Sequence, residues 1–284
     1  MSDEPAIWRC RGRLLTIGPR TRIMGILNIT PDSFSDGGRY ATPDAALSRA
    51  REMLADGADL LDLGGESTRP GAAPVPEDEE LRRVLPVLRA LRAETDVPLS
   101  VDTRHTAVAR AALDVGADII NDIAGLRAPG MAELIAATGA GAVVMHMQGE
   151  PGTMQAAPAY ADVTREVGDF FRARRAALRA AGIADEQLVF DPGIGFGKTL
   201  AHNLALLRDA PALADAAGRP LLYGVSRKSW LGALTGRAAA ERLAGSLAAL
   251  AGLHARGARL FRVHDVKESC DAARVLDTMS AGEA

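Results

Sequence analysis

Four times in this chain a Gly-Ala pair precedes a short apolar run that ends in polar residues. Gly57-Ala58-Asp59 leads into Leu60-Leu61-Asp62-Leu63, and Gly116-Ala117-Asp118 into Ile119-Ile120-Asn121-Asp122. Gly141-Ala142 leads into Val143-Val144-Met145-His146, and Gly257-Ala258-Arg259 into Leu260-Phe261-Arg262-Val263-His264. Each repeat reads as a helix ended by a glycine, then a buried strand, then polar groups at the strand's far end. Strands this uniformly apolar belong in a parallel sheet covered by helices. Runs 22–27, 98–102, 188–191 and 221–225 fit the same mould, which makes eight.

Helical patterns lie between most of these runs. Pro43 after Thr42 marks a helix start with a hydroxyl cap, and Leu47, Ala50 and Leu54 then share a face. Val163, Val167, Phe170, Phe171 and Leu178 keep helical spacing up to Gly182, and the Ala/Leu-rich stretch 238–256 stops at Gly257. Pro86 interrupts the periodic run 81–91, which predicts a kink or a break there. Eight strand–helix units in about 250 residues predict an α/β fold of the TIM (β/α)8 type, with a doubly wound open sheet as the alternative. The alternation in WRCRGRLLTIG, before the first barrel strand, predicts a short β-hairpin capping the barrel bottom. With no linker or low-complexity tract, the expected organisation is one domain over 1–284: hairpin about 8–20, barrel about 21–280.

Charge and composition narrow what such a barrel acts on. Lys and Arg number 33 against 36 Asp and Glu, a net charge of −3, and aromatics are only 4%. That excludes a nucleic-acid partner and a membrane-surface role, which need a basic excess or stacking aromatics. No apolar run approaches the roughly 18 residues of a membrane span, and the acidic start MSDEPAIWRC lacks the apolar core of an export signal. Cys10 and Cys270 have no metal-ligand spacing and suit a reducing compartment, so a cytoplasmic location is expected.

Active sites in this barrel lie at the C-terminal ends of the strands. Those ends carry Asn28, Asp62, Asp102, Asn121, His146, Asp191, Ser226, Arg227, Lys228, Arg262 and His264. Any one alone reads as a helix cap or a satisfied strand end; together they predict a polar-ligand site. The loop 27–40 is rich in Thr, Ser, Asp and Gly and reads as a lid. In loop 64–74, Thr68 and Arg69 offer a hydroxyl and a guanidinium to an anion. DPGIGFGKT (191–199) nearly matches a phosphate-cradling P-loop, but Pro192 stands where the first glycine amide is needed. Asp191 before that glycine turn instead reads as a carboxylate under a closely approaching ligand. In SRKSWLG (226–232) a helix start joins Lys228 as an anion site. Arg262 and His264 are two apart and share a face, so beside Arg227 and Lys228 they predict phosphate or pyrophosphate. A strand-end salt bridge with Asp265 is the plainer reading. Asn28 would join through Mg²⁺, which keeps waters and takes few protein oxygens.

Eight runs occur in order: GILNITPDSFSDGG (25–38), DLGGESTRPGA (62–72), VDTRHTAV (101–108), GADIINDIAG (116–125), VMHMQGEP (144–151), DPGIGFGKT (191–199), GVSRKSWLG (224–232) and RVHDV (262–266). Together they resemble the dihydropteroate synthases of the folate pathway, over about residues 20 to 280. The resemblance implies transfer of the hydroxymethyl carbon of 7,8-dihydropterin pyrophosphate to the amine of p-aminobenzoate, with Mg²⁺ assisting and pyrophosphate leaving. It implies that Asp191, Asp102, Asn121 and Lys228 bind the pterin, with Met145 and Phe196 packed around its ring. Arg262 and His264 would hold the pyrophosphate, with Asn28 holding Mg²⁺. Asp102, Asp191, Lys228, Arg262 and His264 would form the catalytic set. Phe34, Thr68, Arg69, Pro70 and Ser229 would form the p-aminobenzoate pocket. A homodimer and competition by sulfonamides are implied as well. The alternatives are a pterin-binding module of a corrinoid-dependent methyltransferase and a paralogue that binds pterin without turnover.

Overall fold

The structure is a computed structural model that describes residues 5–29, 43–67 and 74–281. Strands β1 (Ala6–Cys10) and β2 (Arg13–Ile17) pair antiparallel as the expected hairpin. The chain then alternates: β3 (Arg22–Asn28), α1 (Pro43–Ala55), β4 (Leu60–Gly64), α2 (Glu77–Glu94), β5 (Leu99–Asp102), α3 (Thr106–Asp114), β6 (Ile119–Asp122), α4 (Met131–Thr138), β7 (Gly141–Met145), α5 (Val163–Ala180) and β8 (Leu188–Asp191). Helices α6 (Leu200–Arg208), α7 (Ala210–Ala217), α8 (Ser229–Thr235) and α9 (Leu243–His254) precede β9 (Leu260–Val263) and α10 (Val266–Ser280).

Seven strands form one parallel sheet in the order β8-β7-β6-β5-β4-β3-β9. Residues 221–225, expected as a strand, close it into a barrel without forming a regular one. Leu222 N donates to Phe190 O (2.8 Å), and Tyr223 N donates to Leu260 O (3.0 Å). The segment thus bridges both edges of the sheet, at Phe190–Leu221 and at Tyr223–Phe261.

The Gly-Ala repeat has a specific geometry. Gly57, Gly116 and Gly257 have positive φ, and the next residue's amide reaches back to the last helical turn: Ala58 to Met53 (3.0 Å), Ala117 to Ala112 (3.0 Å), Ala258 to Leu253 (3.1 Å). Glycine supplies the left-handed step and the buried alanine seals the turn. In the third repeat the helix ends instead at Gly139, φ 67°, and Gly141 is already the first residue of β7. A Cβ there would meet Cys10 Sγ of the hairpin at 2.7 Å.

At Pro86 there is no break, and a later helix starts downstream of its expected bound. Helix α2 runs unbroken across Pro86. Pro86 lies on the exposed face, where one lost hydrogen bond is outweighed by the burial of Val84, Val87, Leu88 and Leu91. The helix expected over 238–256 starts at Leu243, after a single 3-10 turn at Ala239–Glu241. Pro43 opens α1 as expected, whereas Thr42 lies outside the described residues.

Strand periodicity then positions the site. Met24, Leu60, Ile119, Val143, Val189, Leu222 and Leu260 point into the barrel and pack with Trp8, Cys10, Leu15 and Ile17 of the hairpin. Two residues further along, the same inward face carries Asp62, Asn121, Met145, Asp191 and Arg262. The residues between, such as Leu61, Ile120, Val144, Phe190 and Phe261, face the helices. Strands β4, β6, β8 and β9 therefore change from apolar plug to polar rim within one repeat of the pleat.

Candidate active site

The rim is organised around Arg262. Its Nε donates to Asp62 Oδ2 at 2.6 Å and its Nη2 to Asp102 Oδ2 at 2.8 Å. Asn121 Nδ2 donates to the same Asp62 oxygen at 3.0 Å. Oδ1 of Asp62 and Oδ1 of Asp102 are buried with no hydrogen-bond partner. Burial raises the Asp102 carboxyl to about 7, against the pull of Arg262 and with help from Asp62. Burial works against the Arg262 charge too, but Asp62 and Asp102 outweigh it and hold the guanidinium above its ordinary value. Asp62 is the residue that sequence reasoning placed at a strand end and gave no role. Its signal was a carboxylate two positions after Leu60 in an otherwise apolar strand.

Asp191 lies on the neighbouring stretch of rim. The amide of Gly193 donates to its Oδ1 at 2.7 Å. Burial raises its carboxyl, while that amide, Lys228, Lys198 and Arg262 pull it back down. Lys228 Nζ stands 4.1 Å from the centre of the Phe196 ring, a cation–π contact. Burial lowers Lys228 to about 8, opposed by Asp191. Met145 and Phe196 belong to one apolar cluster with Ile123, Met147 and Met154. A carboxylate, an ammonium over an aromatic face and a methionine cluster therefore stand together at this part of the rim, a setting for a flat ring with N–H donors along one edge.

On the other flank, His264 N donates to Ser226 Oγ at 3.2 Å, and His264 Nδ1 is 3.1 Å from the same hydroxyl. Burial, with Arg262 beside it, lowers the imidazole to about 3, so it is neutral at pH 7. A hydroxyl that donates to Nδ1 leaves the ring proton on Nε2, free to meet an anion. The Asp265 salt bridge weighed against the phosphate reading exists, and Arg227 makes it. Nε donates to Oδ2 at 2.9 Å and Nη2 to Oδ1. Arg227 is thereby tied away from the rim, held at φ 56° with its amide on Ser246 Oγ. Lys228 caps the seven-residue helix α8, whose first residue is the exposed Ser229.

Asn28 ends β3 beside Gly64, and its side chain makes no hydrogen bond to the described residues. Phe34, Thr68, Arg69 and Pro70 lie outside the described residues. Glu66, Glu80 and His105 bring ligand atoms within 4.8 Å of one another behind β4, but Glu80 Oε2 is bonded to His105 Nδ1 (2.9 Å) and Glu66 is paired with Arg104 (3.5 Å). Lys198 of the near P-loop turns inwards to the carbonyls of His146 and Phe196.

Over residues 24–264 the sequence matches the pterin binding enzyme family. The dihydropteroate synthase of Neisseria meningitidis serogroup B is 50% identical over 279 residues, which is 96% of this chain and 97% of that protein. The chain belongs to the dihydropteroate synthases. The dihydropteroate synthase of Xanthomonas albilineans, solved with 4-aminobenzoic acid, superposes with a TM-score of 0.92 at 48% identity, covering 99% of this chain and 100% of that one. The X. albilineans synthase in complex with 7,8-dihydropteroate superposes at 0.88 and 46% identity, covering 98% and 100%. Synthases of this family are transferases, and the TIM barrel with its N-terminal hairpin is common to this chain and those structures.

Proposed function

We propose that this chain, as one barrel domain over 1–284, condenses 6-hydroxymethyl-7,8-dihydropterin pyrophosphate with p-aminobenzoate, giving 7,8-dihydropteroate and pyrophosphate. The observation that carries this is the joining of two subsites at one mouth. Asp191, Phe196 and Lys228 suit a pterin, and Arg262 with neutral His264 suits its pyrophosphate.

Asp191 accepts the N–H donors of the pterin 2-amino/N3 edge, each charge-assisted bond contributing about 1.5–3 kcal/mol. Asp102 and Asn121 take other ring nitrogens, Lys228 the O4/N5 side, and Met145 and Phe196 pack the ring. Arg262 commits Nε and one Nη2 proton to Asp62 and Asp102, which leaves three of its five donors for the leaving pyrophosphate. His264 adds a further donor. The residues at this rim fit Mg²⁺, because among the described residues the Asn28 carbonyl oxygen and Oδ1 of Asp62 and of Asp102 have no hydrogen-bond partner. Asn28 would hold the ion, which supplies charge neutralisation for the pyrophosphate.

The C–O bond to pyrophosphate breaks first, since the pterin ring delocalises the positive charge left on the exocyclic methylene. The neutral aryl amine then forms the C–N bond, and its proton goes to water or pyrophosphate. No covalent enzyme intermediate is needed. The chain's part is to stabilise the departing anion and exclude water. Phe34, Thr68, Arg69 and Pro70 form the p-aminobenzoate pocket, and the carboxylate of that substrate meets Ser229. Sulfonamides, which mimic that substrate's amine and anionic end, compete for the same pocket. The working form is a cytoplasmic homodimer, supported by the exposed Leu234, Val275 and Met279 on α8 and α10.

The test is pyrophosphate release from the dihydropterin pyrophosphate with Mg²⁺, with and without p-aminobenzoate. Release that depends on p-aminobenzoate and yields dihydropteroate is expected; bound pterin without release would point to an inactive paralogue or a methyltransferase module. Lys228→Ala and Arg262→Ala are each expected to lower turnover by about 10²-fold or more, with circular dichroism unchanged. Full turnover in both would remove the roles assigned to them.

A further inference from the structure

Lys198 is a buried lysine that the reaction above does not use. It is 3% exposed, and its Nζ meets three acceptors: Phe196 O at 3.0 Å, His146 Nδ1 at 3.1 Å and His146 O at 3.3 Å. Burial lowers the Lys198 ammonium to about 7, and three acceptors match the three protons it carries below that pH. No carboxylate pairs with it among the described residues, and a methionine would fill the same space at lower desolvation cost. The chain therefore carries a costly group where fold stability does not ask for one.

What Lys198 holds is the turn beneath the pterin subsite. Gly193, Gly195 and Gly197 all have positive φ. A Cβ on Gly193 would overlap the His146 carbonyl oxygen, and one on Gly197 the Gln148 carbonyl oxygen, so this turn lies backbone against backbone on 146–148. Asn203 Oδ1 accepts from Gly195 N (2.7 Å), Gln155 Nε2 donates to Gly195 O (2.6 Å), and Tyr160 OH donates to Gly197 O (2.9 Å). Those ties fix Gly195 and Gly197. Lys198 alone among the described residues joins the Phe196 carbonyl to the end of β7. Phe196 carries the ring under Lys228, and Gly193 carries the amide on Asp191.

We propose that Lys198 is a positioning residue of the pterin subsite, setting the Phe196 ring and the Asp191 carboxylate through the turn it clamps to His146. The inference rests on the pterin reading of that subsite. Its charge has a second consequence. The groups acting on the Asp191 charge are the Gly193 amide, Lys228, Lys198 and Arg262. Removing one cation makes Asp191 harder to ionise.

The experiment compares Lys198→Met with the wild-type chain in the pyrophosphate-release assay across pH 5.5–8.5. The expected result is selective. KM for the dihydropterin pyrophosphate rises at least tenfold, and its acid limb moves to higher pH. KM for p-aminobenzoate and kcat at saturation stay within threefold. Lys198→Gln keeps two N–H donors for the carbonyls without the charge, so it should raise KM less and show the same acid-limb shift; it also serves if the methionine variant does not fold. Unchanged pterin KM in either folded variant overturns the proposal. So does a uniform loss in all parameters that tracks the fraction folded, which is what a purely structural lysine would give. A wild-type chain that releases no pyrophosphate overturns the reading of the subsite itself.

Discussion

Asp102, Lys228 and His264 are all pushed towards their neutral forms, and burial is the leading cause in each case. The charged forms of these three groups therefore oppose folding, as expected of groups positioned for a ligand. For Asp102 the sign follows from its two states. Unfolded, it loses its proton near its ordinary 3.8; folded, it holds it to about 7. Its contribution to stability is complete below about pH 4 and is lost as pH rises to 7. Lys228 runs the other way, its contribution present above its ordinary 10.5 and lost as pH falls through about 8. Asp102→Asn should remove the first dependence. Urea titrations from pH 4 to pH 7 should show the variant gaining on the wild-type chain as pH rises, while its turnover collapses. A stability difference that does not change with pH would mean that Asp102 ionises normally in the fold.

At the scale of the element, the glycine turn after β8 and the glycine ending α4 make a controlled pair. Both Gly193 and Gly139 have positive φ, 65° and 67°. A Cβ on Gly139 meets nothing within 4 Å, whereas on Gly193 it overlaps the backbone of His146. Gly139→Ala should cost only the left-handed strain, about 1–2 kcal/mol, and leave turnover intact. Gly193→Ala should abolish pterin binding, read by calorimetry, because the turn cannot close on 146–148. Equal effects would mean that the turn has room to shift. The same contrast explains what was legible in the sequence. A glycine ending a helix and an apolar run ending in Asp or Asn are local signals, so seven of the eight strands and most of the rim could be read from them. The close approach of Gly141 to Cys10 is set by a hairpin 131 positions away, and nothing around Gly141 announces it. The latch of Arg262 onto Asp62 and Asp102 spans separations of 200 and 160 residues and exists only once the barrel closes. Pro86 does not break its helix because its penalty is local while the burial that overrides it is tertiary.

Across the whole molecule, stability and chemistry sit at opposite ends of the same strands. The hairpin seals the N-terminal end: Trp8 is fully buried, its Nε1 donates to Gln187 O at 3.0 Å, and Arg11 reaches the carbonyls of Leu113 (2.8 Å) and Ala117 (3.2 Å). The inward layer under it is apolar apart from Ser100 of β5, and the polar rim begins one pleat above. Because those side chains interdigitate, emptying the bottom layer should weaken the barrel without moving the rim, provided the strands keep their register. Trp8→Ala tests this. It removes the largest side chain of the plug and leaves Gln187 O without its donor, which should cost about 3–5 kcal/mol and lower the melting temperature by several degrees. At 15 °C, where the variant remains folded, kcat and both KM values should match those of the wild-type chain. A fall in kcat under those conditions, with circular dichroism unchanged, would mean that the plug holds the strand ends in place and that the two ends of the barrel are coupled through it.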